Sequence, residues 1–138
     1  MTERRFNINN WEVTFLVYVI NYDINRILAL LRQLNAPANI LIRITENCRR
    51  NEKNVGFTYS NKTERKSIVV IGRTSNGAQF LNTYSHELRH LVDDIADVDD
   101  MDIAGEPVAY LTGDICNFMS DIICRMSCEC CRNKNIPR

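Results

Sequence analysis

Residues 86–90 read His-Glu-Leu-Arg-His, and His86 and His90 are the only two histidines in the 138-residue chain. On a helix, residues four apart lie on one face about one turn apart, so both imidazoles can reach a single Zn²⁺. Glu87 then stands where a carboxylate can take a proton from a metal-activated water, which is the core of a metallohydrolase. The same five letters would also suit a solvated helix face with Glu87 and Arg89 in water. The rest of the chain must therefore supply a helix, a third ligand and a place for substrate.

A catalytic zinc commonly takes three protein ligands and a water, and one short helix rarely provides all three. With no third histidine, the candidates are carboxylates and thiols. Glu106, sixteen residues after His90, opens a second helical pattern that can return beside the first, and is the preferred third ligand. His₂Glu is a known catalytic set. A carboxylate at a helix start also has a purely structural account, because it complements the helix dipole. Asp93 and Asp94, one turn after His90, are the local alternatives, better suited to accept a hydrogen bond from a ligand imidazole and fix its tautomer. Tyr110, one turn beyond Glu106, and Tyr59 are candidate phenol donors to a developing oxyanion, although each also suits a core or rim position. The expected chemistry is zinc-assisted hydrolysis of a peptide or protein substrate, with Glu87 passing the proton from water to the leaving amine.

These side chains need elements to hold them. Residues 11–20 are β-branched and aromatic and read as a central strand. Asp23 can cap a following helix, on which Ile24, Ile27, Leu28, Leu31 and Leu34 recur at helical spacing until Pro37. Residues 39–50 fit a short helix, with Ile40, Leu41, Ile44 and Cys48 on one face, and residues 51–54 a loop. Residues 56–60 and 67–71 read as a hairpin, the first run an edge strand and the second, apolar throughout, an inner one. Ser75 or Asn76 can cap the helix bearing the motif, along which Leu81, Tyr84, Leu88, Leu91, Val92 and Ile95 form an apolar stripe ending near Val98. The histidines are expected beside that stripe, facing a cleft. A second long helix begins at Glu106-Pro107, with Val108, Leu111, Ile115, Phe118, Met119, Ile122 and Met126 on its apolar face. Ala109 and Gly113, four apart, would let it approach the motif helix closely.

A composition of 45% hydrophobic and 25% charged residues fits one soluble domain spanning 1–138, with 1–10 a loose N-terminus and 127–138 a Cys-rich tail. Net charge is zero, but residues 1–85 hold twelve Lys/Arg against six Asp/Glu and residues 86–138 hold five against eleven. The basic residues are interspersed with acids and asparagines and accompany no recognition motif, which argues against a nucleic-acid partner. The aspartates at 93, 94, 97, 99, 100 and 102 suit a solvated helix end or a cation-attracting rim. Glu12 interrupts the first apolar stretch and no small-residue cleavage site follows it, so no signal peptide is expected, and no run is long enough for a membrane span. Six cysteines crowd towards the C-terminus rather than along the chain, as reduced thiols of a cytoplasmic protein would. Cys124, Cys128 and Cys131 would share one face if the last helix continued.

HELRHLVDDI followed by GEPVAYLTG resembles the metal site of the gluzincin type of zincin metallopeptidases. The wider set GFTYS, SIVVIG, HELRH and GEPVAYLTG resembles small zincin-like proteins encoded by phages and prophages of gut bacteria. The resemblance implies a minimal α+β domain in which a small twisted mixed sheet packs on the HExxH helix and the following Glu-bearing helix. It also implies an edge strand that pairs with an extended peptide, His86, His90 and Glu106 as ligands, and Glu87 as base. Two departures stand out: the downstream glutamate lies in GEPVAY rather than in the longer pattern of large gluzincins, and no substantial C-terminal subdomain follows. The class alternative is a catalytically inactive zincin-like module that binds a host or phage protein.

Overall fold

The computed structural model describes residues 1–19, 23–49 and 56–131; the expected loop at 51–54 and the tail beyond Cys131 fall outside them. Among the described residues the chain runs β1 (Thr2–Ile8), β2 (Trp11–Val19), α1 (Ile24–Gln33), α2 (Ala38–Arg49), β3 (Gly56–Asn61), β4 (Lys66–Gly72), α3 (Gly77–Val98), α4 (Glu106–Phe118) and α5 (Ser120–Ser127). The twisted sheet has the order β1-β2-β4-β3. β2 and β4 are parallel, and each outer strand is antiparallel to its neighbour.

Period-two alternation sends the central strands' side chains to two cores. Trp11, Val13, Phe15, Val17, Val69 and Ile71 pack with α3, α4 and α5 on one face. Leu16, Ile68 and Val70 pack with Ile27, Leu30, Leu31 and Ile44 of α1 and α2 on the other. The result is a helix–sheet–helix sandwich whose inner strands are apolar on both faces, the reason both read so clearly as strands. Asp23 stands at the N-cap position of α1 without a capping bond from its side chain, whereas the Asn76 side chain caps α3 by accepting from the Gln79 N–H.

Three expectations are corrected. The N-terminus is not loose: residues 2–8 form the edge strand β1, joined to β2 by Asn9 and Asn10, both at positive φ (51° and 58°). Asparagine tolerates that region, and two such residues in succession make the tight turn of a two-residue hairpin. Phe6 stacks on Phe118 at 4.6 Å between ring centroids, which fastens β1 to the helical layer. Secondly, the single long helix expected from Glu106 breaks at Met119, which is fully buried at the joint between α4 and α5. The Arg4 guanidinium donates to the Phe118 carbonyl at 3.0 Å, serving an acceptor at the helix end, and forms a two-pronged bond to Asp121. Thirdly, Ala109 and Gly113 are exposed, and α4 packs through Val108, Leu111 and Ile115 instead.

Long-range ion pairs join the basic first half of the chain to the acidic second half. Lys62 binds Asp97 and Asp94, and Arg65 binds Asp99 at 2.8 Å. Arg65 also donates to the Asn9 and Asn10 carbonyls and lies over the Trp11 ring. Basic residues of the β3–β4 turn thus hold the acidic end of α3 against the sheet. No helix among the described residues is long and apolar enough to cross a membrane.

Candidate metal centre

His86 and His90 lie on adjacent turns of α3, on its exposed side and away from the stripe made by Phe80, Tyr84, Leu88, Leu91 and Ile95. The sequence placed them beside the stripe; the helix instead turns them to solvent. Their rings meet nearly edge to face at 76°, and the two Nε2 atoms converge to 3.2 Å. Either a shared proton or a shared cation satisfies that arrangement. Two nitrogens bound to one tetrahedral zinc at normal bond lengths would stand about 3.3 Å apart, so the pair fits two corners of such a site.

Glu87 points elsewhere. One residue round the helix from His86, it is 5% exposed and turned towards β3, where Thr58 Oγ1 donates to its Oε2 at 2.8 Å and also approaches its backbone carbonyl at 3.1 Å. Gly56 makes this close approach of strand and helix possible. A Cβ there would come within 2.8 Å of Thr83 Cγ2 and 3.0 Å of Glu87 Cγ. A buried carboxylate needs such a partner, because an unpaired charge in low dielectric is costly.

The polar wall continues along β3. Trp11 Nε1 donates to Ser67 Oγ at 2.8 Å, the Ser67 and Ser60 hydroxyls share a bond of 2.6 Å, and Ser60 donates to Asp94 Oδ2 at 2.6 Å. Because Ser60 gives its hydrogen to the carboxylate, Ser67 must give its own to Ser60, and every donor points from Trp11 towards Asp94. Asp94 is therefore engaged with Ser60 and Lys62, while Asp93 pairs with Arg89 at 2.8 Å. Neither supports a histidine in this structure.

The remaining candidates are dispersed. Glu106 and Tyr110 are exposed on α4, on the side away from Val108, Leu111 and Ile115, and Tyr110 retains 68% of its accessibility. Tyr59 projects through the opposite face of the sheet, packing against the α1–α2 core and lining a cavity of about 340 Å³ with Ile40, Arg43, Ile44, Cys48 and Phe57. That removes Tyr59 as a phenol donor at the histidines, because alternate residues of one strand face opposite ways. Among the described residues no three His, Cys, Asp or Glu side chains are grouped to hold one metal ion. The structure brings His86 and His90 together, turns Glu87 away from them to Thr58 of β3, and does not bring Glu106 to the pair.

Comparison with protein-family models, curated proteins and solved structures finds no match to this chain. The functional reading rests on the residues themselves. Thr58, Gly56 and Ser60 are the contributors that motif reasoning passed over. Their signal was the period-two alternation of small and polar residues with Phe57 and Tyr59, which puts one face of β3 against a polar flank of α3.

Proposed function

We propose that this chain is a small zinc-dependent hydrolase of zincin type that cleaves peptide bonds, with His86 and His90 as ligands and Glu87 as general base. The observation that carries this reading is the 3.2 Å convergence of the two Nε2 atoms. Zinc, when bound, would supply an acidified water and polarisation of the scissile carbonyl. His86 and His90 would hold two of its positions, and the third is proposed for Glu106, exposed at the start of α4 and not grouped with the pair in this structure. Thr58 holds Oε2 of Glu87. The carboxylate's other oxygen would take a proton from water and return it to the leaving amine. Tyr110 is proposed to donate its phenol hydrogen to the developing oxyanion.

β3 supplies the supporting argument about substrate. It lies at the sheet edge, bonded to β4. An extended peptide paired to its outer side would run past Glu87 and send alternate side chains towards α3 and towards the cavity beside Tyr59. The exposure of Glu106 on the outer side of α4 favours a second reading, in which the same surface binds metal and a host or phage protein without hydrolysis.

Metal analysis and hydrolysis of an unstructured protein substrate separate these. The hydrolase reading expects stoichiometric zinc, lost in His86→Ala and in His90→Ala. Glu87→Gln should keep zinc and lower turnover by about a hundredfold or more. Glu106→Gln should weaken zinc binding. Protein without zinc, or hydrolysis that survives Glu87→Gln, sinks the hydrolase; zinc retained with no cleavage leaves the binding module.

A further inference from the structure

The cysteine tail carries a second chemistry. Helix α5 ends at Ser127, and Cys128 leaves the helical region with φ −91° and ψ 119°. The one-face alignment of Cys124, Cys128 and Cys131 on a continuing helix is thereby lost. Residues 129–131 take up helical backbone again directly after Cys128, which puts Cys128 and Cys131, three residues apart, at one helical turn. The Cys128 and Cys131 thiols are hydrogen-bonded across this turn, and the backbone N–H groups of Cys131 and Cys130 also point at the Cys128 sulfur. Neither cysteine is in a disulfide.

The turn is anchored. Glu129 Oε1 accepts from the Gly77 N–H at 2.9 Å, so a side chain between the two thiols serves a donor at the start of α3. Gly77 itself lies so close to the end of α5 that an added Cβ would collide with the Ser127 carbonyl. The backbone on either side of Cys128 is thus tied to the start of α3. Cys128 is exposed and Cys131 is half-buried.

We infer that Cys128 and Cys131 form a dithiol–disulfide pair that exchanges with disulfides of low molecular weight, Cys128 being the attacking thiol and Cys131 the resolving one. The amide hydrogens and the neighbouring thiol stabilise negative charge on the Cys128 sulfur and hold its pKa below the usual thiol value. With oxidised glutathione, the Cys128 thiolate attacks one sulfur, forming a mixed disulfide and expelling one glutathione thiolate. The Cys131 thiolate then attacks the Cys128 sulfur, closing the intramolecular bond and expelling the second. Two protein thiols are oxidised, one glutathione disulfide is reduced to two thiols, and the protons lost by the cysteines pass to solvent or the glutathione thiolates.

Arg125 and Arg132 bound a tryptic peptide that holds Cys128, Cys130 and Cys131 and no other cysteine. Reduced full-length protein would be equilibrated with glutathione and its disulfide at neutral pH, quenched with N-ethylmaleimide, digested and mapped by mass spectrometry. The expected product is this peptide minus two hydrogens, with Cys130 blocked by the maleimide. Cys130→Ser should oxidise at the wild-type rate. Cys131→Ser should stop at a mixed disulfide on Cys128, and Cys128→Ser should react several-fold more slowly. A disulfide using Cys130, a disulfide-linked dimer as the main product, or wild-type protein halting at mixed disulfides would overturn the assignment.

Discussion

Thr58 on the edge strand and Glu87 on the motif helix are joined by a 2.8 Å hydrogen bond in which the threonine hydroxyl donates. The acid of the HExxH pattern is therefore oriented by β3, twenty-nine residues earlier in the chain, and not by its neighbours on α3. This orientation has a cost if the strand loses its hydroxyl. Thr58→Val keeps the shape and leaves a buried carboxylate oxygen without its donor, so unfolding free energy should fall by about 1–3 kcal/mol. Thr58→Ser should restore most of it. Urea denaturation reads both, and equal midpoints for the valine and serine variants would show that the bond does not hold Glu87.

The close approach at Gly56 gives a second prediction. A methyl group there meets Thr83 Cγ2 at 2.8 Å before it meets Glu87 Cγ at 3.0 Å. Gly56→Ala should cost about 1–3 kcal/mol, as overpacking usually does. Thr83→Ser removes the nearer methyl and should recover part of the loss. The double-mutant cycle is the measurement. Additive effects of the two substitutions would mean that strand and helix shift apart instead of clashing.

The directed chain from Trp11 to Asp94 makes the third. Trp11 is fully buried and Ser67 nearly so, so Ser67→Ala leaves the indole N–H with no acceptor and Ser60 with one donor fewer. The cost should be about 1–3 kcal/mol. Ser60→Ala interrupts the same chain one step on, so the two losses should not add. Thermal unfolding of the single and double variants decides it; a double loss equal to the sum of the singles would show that the bonds act independently.

What the sequence made legible follows from how each element stores its signal. β2, β4, α1 and α3 carry long apolar patterns, because they are buried on two faces or along one continuous stripe. β1 has one buried side chain, Phe6, in a charged run, so its pattern is faint and its best mark is the Asn9-Asn10 turn. The break at Met119 was hidden because Ile115, Met119 and Ile122 keep helical spacing through it; Arg4, more than a hundred residues away, accommodates the Phe118 carbonyl. Within the candidate site, local spacing gave the convergence of His86 and His90. The partners of Glu87, Asp93 and Asp94 depend on strand register, on a long side chain and on the direction of hydroxyl hydrogens, none of which a local motif records.

The last prediction concerns Arg4 and Asp121, which join β1 to α5 through bonds of 3.0 and 2.8 Å. The hydrogen-bonded guanidinium holds the Asp121 carboxyl below its ordinary value, outweighing the small opposing effect of burial. A carboxyl whose pKa is lower in the folded chain than in the unfolded one favours folding wherever it is ionised in both states. That contribution is whole above the unfolded value of about 3.9 and is lost as pH falls through the lower folded value. Both side chains are at least a third exposed, at 33% and 54%. Solvent screening therefore limits the pair to about 0.2–1 kcal/mol. Asp121→Asn should lower stability by that amount at neutral pH and make little difference below the folded value, so the two stability curves should converge on acidification. Urea midpoints across the acid range test this, and a gap between the curves that stayed constant down to the lowest pH would assign the effect of the substitution to packing at the α4–α5 joint rather than to charge.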